Sequence, residues 1–181
     1  MNKIEIGFFE IITGKVIVSD PCYTLGTWCQ GVLNKVKCGK WIGYVQRSDE
    51  GRWGERVAEL IACHHESELS LFSCNWTEET FEVGVDSGQA GIFDAKHYRD
   101  DSVALEVSRI SKEVICPDEP WYSICCDWTI GAESGAGVIP FGIVSSSGFG
   151  DGGYRCYIQE DDEGYVTGIR IIFISDEEEE E

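Results

Sequence analysis

Four glycines fall within the six residues 148–153, directly before a strand-like segment at 154–158. Glycine loses more backbone entropy on folding than any other residue, so a run of glycines indicates positive φ angles or a close approach of the backbone to another group. We therefore predict that 145–154 is an ordered loop between two strands. A fold that contains this loop is expected either to hold its glycines at positive φ or to bring a ligand or a neighbouring segment against it.

Short runs of β-branched and aromatic residues recur along the chain and predict about nine or ten strands. The segments 3–9 and 15–19 flank Thr13-Gly14 and are expected to form a hairpin. The other predicted strands are 39–45, 56–62, 81–86, 138–144, 154–159 and 165–174. No internal repeat is evident.

One segment, 119–130, has the pattern of an amphipathic helix, with Pro120 in its first turn, Asp118 as a possible cap and Gly131 as a stop. Its apolar face holds Trp121, Ile124, Cys125 and Trp128. Many strands and one helix favour a mostly β fold, with α+β at the margin. We expect a single-domain β-sandwich or a partly open barrel, on which this helix packs through Trp121 and Trp128.

The chain has 181 residues and a formal net charge of −19. Its length is sufficient for one globular domain, predicted at 1–175. The acidic segment 176–181 is predicted to be a disordered tail, and contact with a basic partner is the alternative. Nucleic acid and anionic membranes need a basic surface, so we predict neither as a partner. The sequence does not predict the oligomeric state.

Nine cysteines, an odd number, occur without any C-x-x-C pair. The first residues lack a basic region followed by an apolar run, so no secretory signal is predicted, and no apolar run approaches the length of a membrane helix. We therefore expect a cytoplasmic protein with nine free thiols.

Three polar segments that interrupt strands supply the candidate site: 20–23, 86–94 and 147–154. Pro21 restrains Asp20 to extended geometry, and Asp94 can cap a helical turn over 95–99. Because a sandwich gathers its loops at two ends, we expect these segments to meet in one cleft. The predicted ligand-binding residues are Asp20, Tyr23, Asp86, Ser87, Gln89, Ser147, Asp151 and Tyr154.

These segments resemble a family of bacterial and phage proteins, domain of unknown function 4241. The similar pieces are 20–23, 85–94 and 146–154 with the terminal hairpin that follows, and the resemblance covers most of the chain. It implies the extent of the domain and the candidate site, and it implies no reaction.

Common cofactor motifs are excluded. Gly148, Gly150 and Gly153 have the spacing G-x-G-x-x-G, but this loop leads into a strand, whereas the dinucleotide fingerprint must open a helix. No P-loop and no nucleophile elbow occur. No cofactor is therefore predicted.

Two catalytic alternatives stay open. A metal site would draw on aspartates and histidines that are scattered along the chain: Asp20, Asp86, Asp94, Asp151, His64, His65 and His97. Such separation makes the signal for a metal weak, and no metal ligand is assigned. Cys22 with one of the histidines could form a thiolate nucleophile.

The leading functional hypothesis is a non-catalytic binding protein of bacterial or phage origin that occupies a small polar ligand or a protein partner. Sequestration of a signalling nucleotide, as in counter-defence sponges, is one form of it by analogy. The alternatives are a metal-assisted hydrolase that uses the loop aspartates and a structural domain in which both loops are tight turns, with Asp86 and Asp151 bonding their own backbone.

Overall fold

Two antiparallel sheets pack face to face in the structure, a computed structural model that describes residues 3–67, 75–105 and 118–175. In these ranges the strands are β1 (Lys3–Ile11), β2 (Val16–Ser19), β3 (Gly31–Leu33), β4 (Gly39–Asp49), β5 (Glu55–His64), β6 (Thr77–Val85), β7 (Gln89–Asp94), β8 (Ala136–Ile139), β9 (Gly142–Ser146), β10 (Gly152–Glu160) and β11 (Val166–Ile172). One sheet has the order β1-β4-β5-β11-β10-β6 and the other β3-β2-β7-β9-β8. The predicted mostly β fold is confirmed, and neither sheet closes into a barrel.

The main core lies between the two sheets. Alternate residues of the six-stranded sheet point inward, as for Ile169 and Ile171 of β11, and meet residues of the other sheet such as Ile143 and Ile92. The residues between them point to the outer face, where Arg170 of β11 lies. Period-two alternation therefore separates an apolar core from a more polar outer face on this sheet.

Helix α1 (Pro120–Cys126) continues into a π-helical turn, Asp127–Gly131. Trp121 is buried, with its ring centroid 5.1 Å from that of Phe93 and 5.3 Å from that of Tyr98. Trp128 is half exposed and covers Gly137, where a Cβ would come within 2.1 Å of the indole. The predicted helix and its packing through both tryptophans are thus confirmed.

The predicted cap of this helix is wrong. Glu119, not Asp118, occupies the N-cap position and makes no side-chain capping bond. The amide of Trp121 instead donates to Asp101 Oδ1 at 3.1 Å. A carboxylate distant in the sequence supplies the acceptor, which local sequence rules do not detect.

The predicted hairpin of the first two strands is also wrong, although both strands exist. β1 pairs with β4, whereas β2 pairs with β3 and β7 in the other sheet. Residues 12–15 therefore form an arch that crosses between the sheets. The same arrangement joins β6 to β7 through 86–88, so the predicted loop 86–94 is a short turn followed by a strand whose six residues are all buried.

One end of the sandwich gathers five connecting segments, and we call it the loop end. The strand register places Val85 opposite Gly152 and Gln89 opposite Ser146 at this end. The five segments are 20–30, 50–54, 86–88, 127–135 and 147–151.

The seven cysteines in the described ranges are all free, as predicted: Cys22, Cys29, Cys38, Cys63, Cys125, Cys126 and Cys156. Cys74, Cys116 and the predicted acidic tail at 176–181 lie outside the described residues. Among the residues that the structure describes, no helix is long and apolar enough to cross a membrane.

Candidate functional site

Asp20, which follows β2 at the loop end, is completely buried and accepts four hydrogen bonds. Its Oδ2 accepts from the amides of Asp86 at 2.9 Å and Ser87 at 2.7 Å. Its Oδ1 accepts from Ser87 Oγ at 2.7 Å and from the amide of Cys22 at 2.8 Å. This carboxylate therefore binds the turn that connects β6 to β7 and holds two of the predicted segments together.

Asp94 makes a matching set of contacts at the other end of the sandwich. It is also completely buried, and its Oδ2 accepts from the amides of Ile12 and Thr13 at 2.8 and 2.9 Å and from Thr13 Oγ1 at 3.0 Å. Its Oδ1 accepts from the amide of Lys96 at 3.0 Å. The predicted capping of the turn at 95–99 is confirmed, and the bonds to the arch at 12–15 were not predicted.

These two sites are copies of one local structure. Residues 12–20 and 86–94 have the same spacing: a hydroxyl residue, then a glycine, then six residues later an aspartate. Gly14 and Gly88 have nearly equal φ angles of 68° and 70°. β2 and β7 pair antiparallel, so an approximate two-fold axis relates the copies, and each aspartate binds the arch of the other copy. The sequence prediction of no internal repeat is therefore wrong at this short scale.

The repeat indicates a structural role for Asp20, which we call a brace because its carboxylate holds the turn 86–88 in place. An equivalent carboxylate, Asp94, performs the same task at the opposite end of the sandwich. Asp20 and Asp94 lie beside opposite ends of the short strand β2, about 13 Å apart at the usual rise per residue. Over residues 3–67, 75–105 and 118–175, no three His, Cys, Asp or Glu side chains are grouped as metal ligands.

Cys22 and Tyr23 lie half-buried beside this brace. Burial, followed by the hydrogen bond and charge of Asp20, raises the pKa of Cys22 to about 12. A hydrogen bond with Asp86 and burial raise the pKa of Tyr23. Neither environment activates a nucleophile. The histidines have other partners, since His97 contacts Asp100 Oδ2 at 2.9 Å and His64 contacts the carbonyl of Cys38.

We expect iodoacetamide at pH 8 to alkylate Cys22 at least about tenfold more slowly than the exposed Cys38, because a raised pKa lowers the thiolate fraction more than it raises the reactivity of the thiolate. Peptide mapping after timed quenching measures both rates in one sample. Faster labelling of Cys22 than of Cys38 would restore the nucleophile hypothesis.

The glycine loop 147–151 is braced from within. Ser147 Oγ donates to the carbonyl of Gly150 at 2.9 Å, and Tyr154 Oη lies 2.6 Å from the same oxygen. Gly148 has a φ of 59° and packs against Phe173, where a Cβ would come within 3.1 Å. The positive φ and the close packing against Phe173 both require glycine at residue 148.

The turn 86–88, the loop 147–151 and Asp20 meet as predicted, but 89–94 is a buried strand that ends at the opposite end of the sandwich, and the cavities described include none lined by all three predicted segments. The amide of Ser147 donates to the carbonyl of Gly88 at 3.1 Å, and Asp20 binds the same turn. The remaining predicted residues lie around these contacts. Gln89 is buried and its Oε1 accepts from Thr129 Oγ1, whereas Asp86 and Asp151 are exposed. The assignment of all eight residues to ligand binding stays a prediction.

A cavity of about 580 Å³ lies on the six-stranded sheet next to the glycine loop. One predicted site residue, Tyr154, lines it. Its other polar and charged lining residues are Gln46, Glu59, Arg155, Tyr157, Arg170 and Ser175, and its apolar wall is formed mainly by Ile172, Phe173 and Ile174. The cavity thus combines polar and charged side chains from the four adjacent strands β4, β5, β11 and β10 with one apolar side.

Two arginines give this cavity its charge. Arg170 Nε donates to Glu59 Oε2 at 2.8 Å and Arg170 Nη2 to Glu59 Oε1, which fixes the guanidinium as a side-on pair. Arg155 lies 3.7 Å from Glu78 in an exposed pair. The lining itself holds two guanidiniums against one carboxylate, an excess of one positive charge in a chain of net charge −19.

Sequence analysis missed Arg155, Arg170 and Gln46. A signal existed, because Arg155 and Tyr157 alternate with buried residues of β10, and Arg170 alternates with those of β11. Outward positions of neighbouring strands meet on one face, but only the pairing of β10 with β11 shows which strands are neighbours.

Comparison with known proteins identifies one family. The sequence model of a family described as protein of unknown function (DUF4241) matches residues 9–171. No curated protein and no solved structure matches the chain.

Proposed function

The chain belongs to the DUF4241 family, and we propose that it is a non-catalytic binding protein that holds a small anionic ligand in the cavity beside Tyr154. The observation that carries the proposal is the convergence of Arg155 and Arg170 on a cavity next to the glycine loop. Guanidinium groups present several donors in a fixed plane and suit carboxylate and phosphate groups.

The cavity has the size and composition of a ligand site. Its volume of about 580 Å³ falls within the range of about 300–1,000 Å³ that is usual for small-molecule pockets. Its apolar wall suits a flat or apolar ligand group, and its arginines suit one acidic group. A nucleotide with one phosphate is one ligand of this class, and sequestration of a signalling nucleotide is the corresponding biological role.

The lining favours binding over turnover. The described residues that line the cavity include no histidine, cysteine or aspartate. Its one carboxylate, Glu59, is buried and bonded to Arg170, so it is not placed to accept a proton from a ligand. The metal-assisted hydrolase and the purely structural domain are the alternatives that the experiment separates.

We expect Arg155→Gln to weaken ligand binding about tenfold or more, because one charge-assisted contact is lost. The probes are nucleoside 5′-monophosphates and aromatic carboxylates, compared by thermal shift and then by calorimetric titration. Arg52→Gln is the matched control, since it removes the same charge from an exposed residue outside the cavity. Both variants should unfold like the wild type, because exposed ion pairs add little stability.

Each bound probe is then recovered after denaturation of the protein. Unchanged probe supports binding, and new products support the hydrolase. The cavity would lose its proposed role if no probe bound, or if Arg155→Gln and Arg52→Gln weakened binding equally.

A further inference from the structure

The five most exposed large apolar side chains of the described ranges all lie at the loop end. They are Trp28 at 93%, Ile130 at 83%, Leu25 at 63%, Phe149 at 60% and Trp53 at 58%. They come from four of its five segments. Single exposed apolar residues are common, but a concentration of them at one end of a domain is typical of an interaction surface.

Hydrogen bonds join three of these segments to the turn 86–88 or the strands beside it. The carbonyl of Cys29, next to Trp28, accepts from the amide of Gly84 at 3.0 Å. Thr129, next to Ile130, donates to Gln89 Oε1 at 2.9 Å. The amide of Ser147, near Phe149, donates to the carbonyl of Gly88. The segments that carry Trp28, Ile130 and Phe149 are therefore all bonded at or beside one turn, which Asp20 holds in place.

These hydrogen bonds fix the backbone of the surface before any partner binds. The backbone that carries the apolar side chains is already bonded, so a partner would order only side chains. Tryptophan, which this surface presents twice, is among the residues that most often dominate binding energy at protein interfaces.

Charge indicates the kind of partner. The five loop-end segments contain six acidic residues and one basic residue, Arg52. The acidic residues are Asp20, Glu50, Asp86, Asp127, Glu133 and Asp151, of which all but Asp20 and Glu50 are exposed. A second copy of this chain would bring two surfaces of the same sign together, whereas a basic surface would be attracted.

We infer that the loop end is a docking surface for a basic protein, which inserts apolar side chains among Trp28, Ile130 and Phe149 and places lysines or arginines against Asp86, Asp127 and Asp151. The five segments contain none of the residues that line the ligand cavity, although the glycine loop lies next to it. The inference therefore stands or falls independently of the proposed function.

The test uses the full chain as bait for a random peptide display library of about 12 residues per peptide, a length suited to an interface of this kind. Enriched peptides are expected to carry net positive charge together with aromatic or aliphatic residues. The tightest peptide, once synthesised, should bind Trp28→Ser and Ile130→Ser at least about tenfold more weakly than the wild type. Its affinity should also fall as salt rises from about 50 to about 500 mM.

Ile12→Ser is the control, because Ile12 is an exposed apolar residue in the arch at the opposite end of the sandwich. It should leave peptide binding unchanged, and so should Arg155→Gln in the cavity. The inference is overturned if no peptide is enriched, if the enriched peptides are neutral or acidic, or if Trp28→Ser and Ile12→Ser bind them alike. A wild-type dimer in sedimentation that Trp28→Ser dissociates would also overturn it, in favour of a second copy.

Discussion

Replacing Asp20 by asparagine is expected to lower the free energy of unfolding by at least about 3 kcal/mol, because hydrogen bonds to a buried carboxylate are worth about 1.5–3 kcal/mol each. Asp20 accepts four, three of them from backbone amides. Asparagine keeps the shape but offers one acceptor oxygen and turns an amide toward donors that then lack a partner. Urea unfolding followed by tryptophan fluorescence measures the change.

The structural repeat supplies the control for this prediction. Asp94→Asn should cause a loss of similar size, because Asp94 accepts the same kinds of bonds at the other end. Asp151→Asn removes the same charge from an exposed residue of the glycine loop and should change stability little. A stable Asp20→Asn variant with normal ligand and peptide binding would show that the brace is dispensable.

Replacing Arg170 by methionine is the second change with a large expected effect, a loss of about 3 kcal/mol. Glu59 is buried, and removal of one partner from a buried ion pair leaves a charge without compensation, at a cost of about 3–5 kcal/mol. We expect the lower end of this range because the Arg170 side chain is 27% exposed.

The double variant Arg170→Met with Glu59→Leu isolates the cause. It removes both charges and should regain most of the stability that Arg170→Met loses, because well-packed apolar residues often replace such a pair without loss. Chemical unfolding of the wild type, both single variants and the double variant completes the cycle. A double variant less stable than Arg170→Met alone would show that an unpaired Glu59 charge is not the cause of the loss.

The hydrogen bonds at the two arches show that several residues of the polar segments have a structural role. Asp20 and Ser87, two of the predicted ligand-binding residues, bond to each other and form the brace at the turn 86–88. The cavity and the apolar side chains of the loop end, which we propose as binding surfaces, lie beside this brace. A polar motif next to a strand end is typical either of a ligand site or of a structural turn. The number of hydrogen bonds that its residues make within the protein distinguishes these two roles.

Local patterns determined several features of this protein correctly. Alternation and β-branched residues located β4, β5, β6, β10 and β11 to within a few residues. Pro120 and the spacing of Trp121, Ile124 and Cys125 located the helix. The polar segments beside strand ends were recognised as converging loops, because strands of a sandwich can end only at its two ends.

Only the tertiary structure decided which segments are partners. The choice between a hairpin and an arch at Thr13-Gly14 depends on an acceptor 81 residues away, Asp94, which binds the amide of Thr13. Contacts between residues distant in the sequence also supply the amides that Asp20 binds and the acceptor at Trp121. They likewise bring together the arginines that meet at the cavity. Local sequence specifies backbone preference and the face of each side chain, whereas a buried charge is stabilised by whichever donors the packed sheets bring to it.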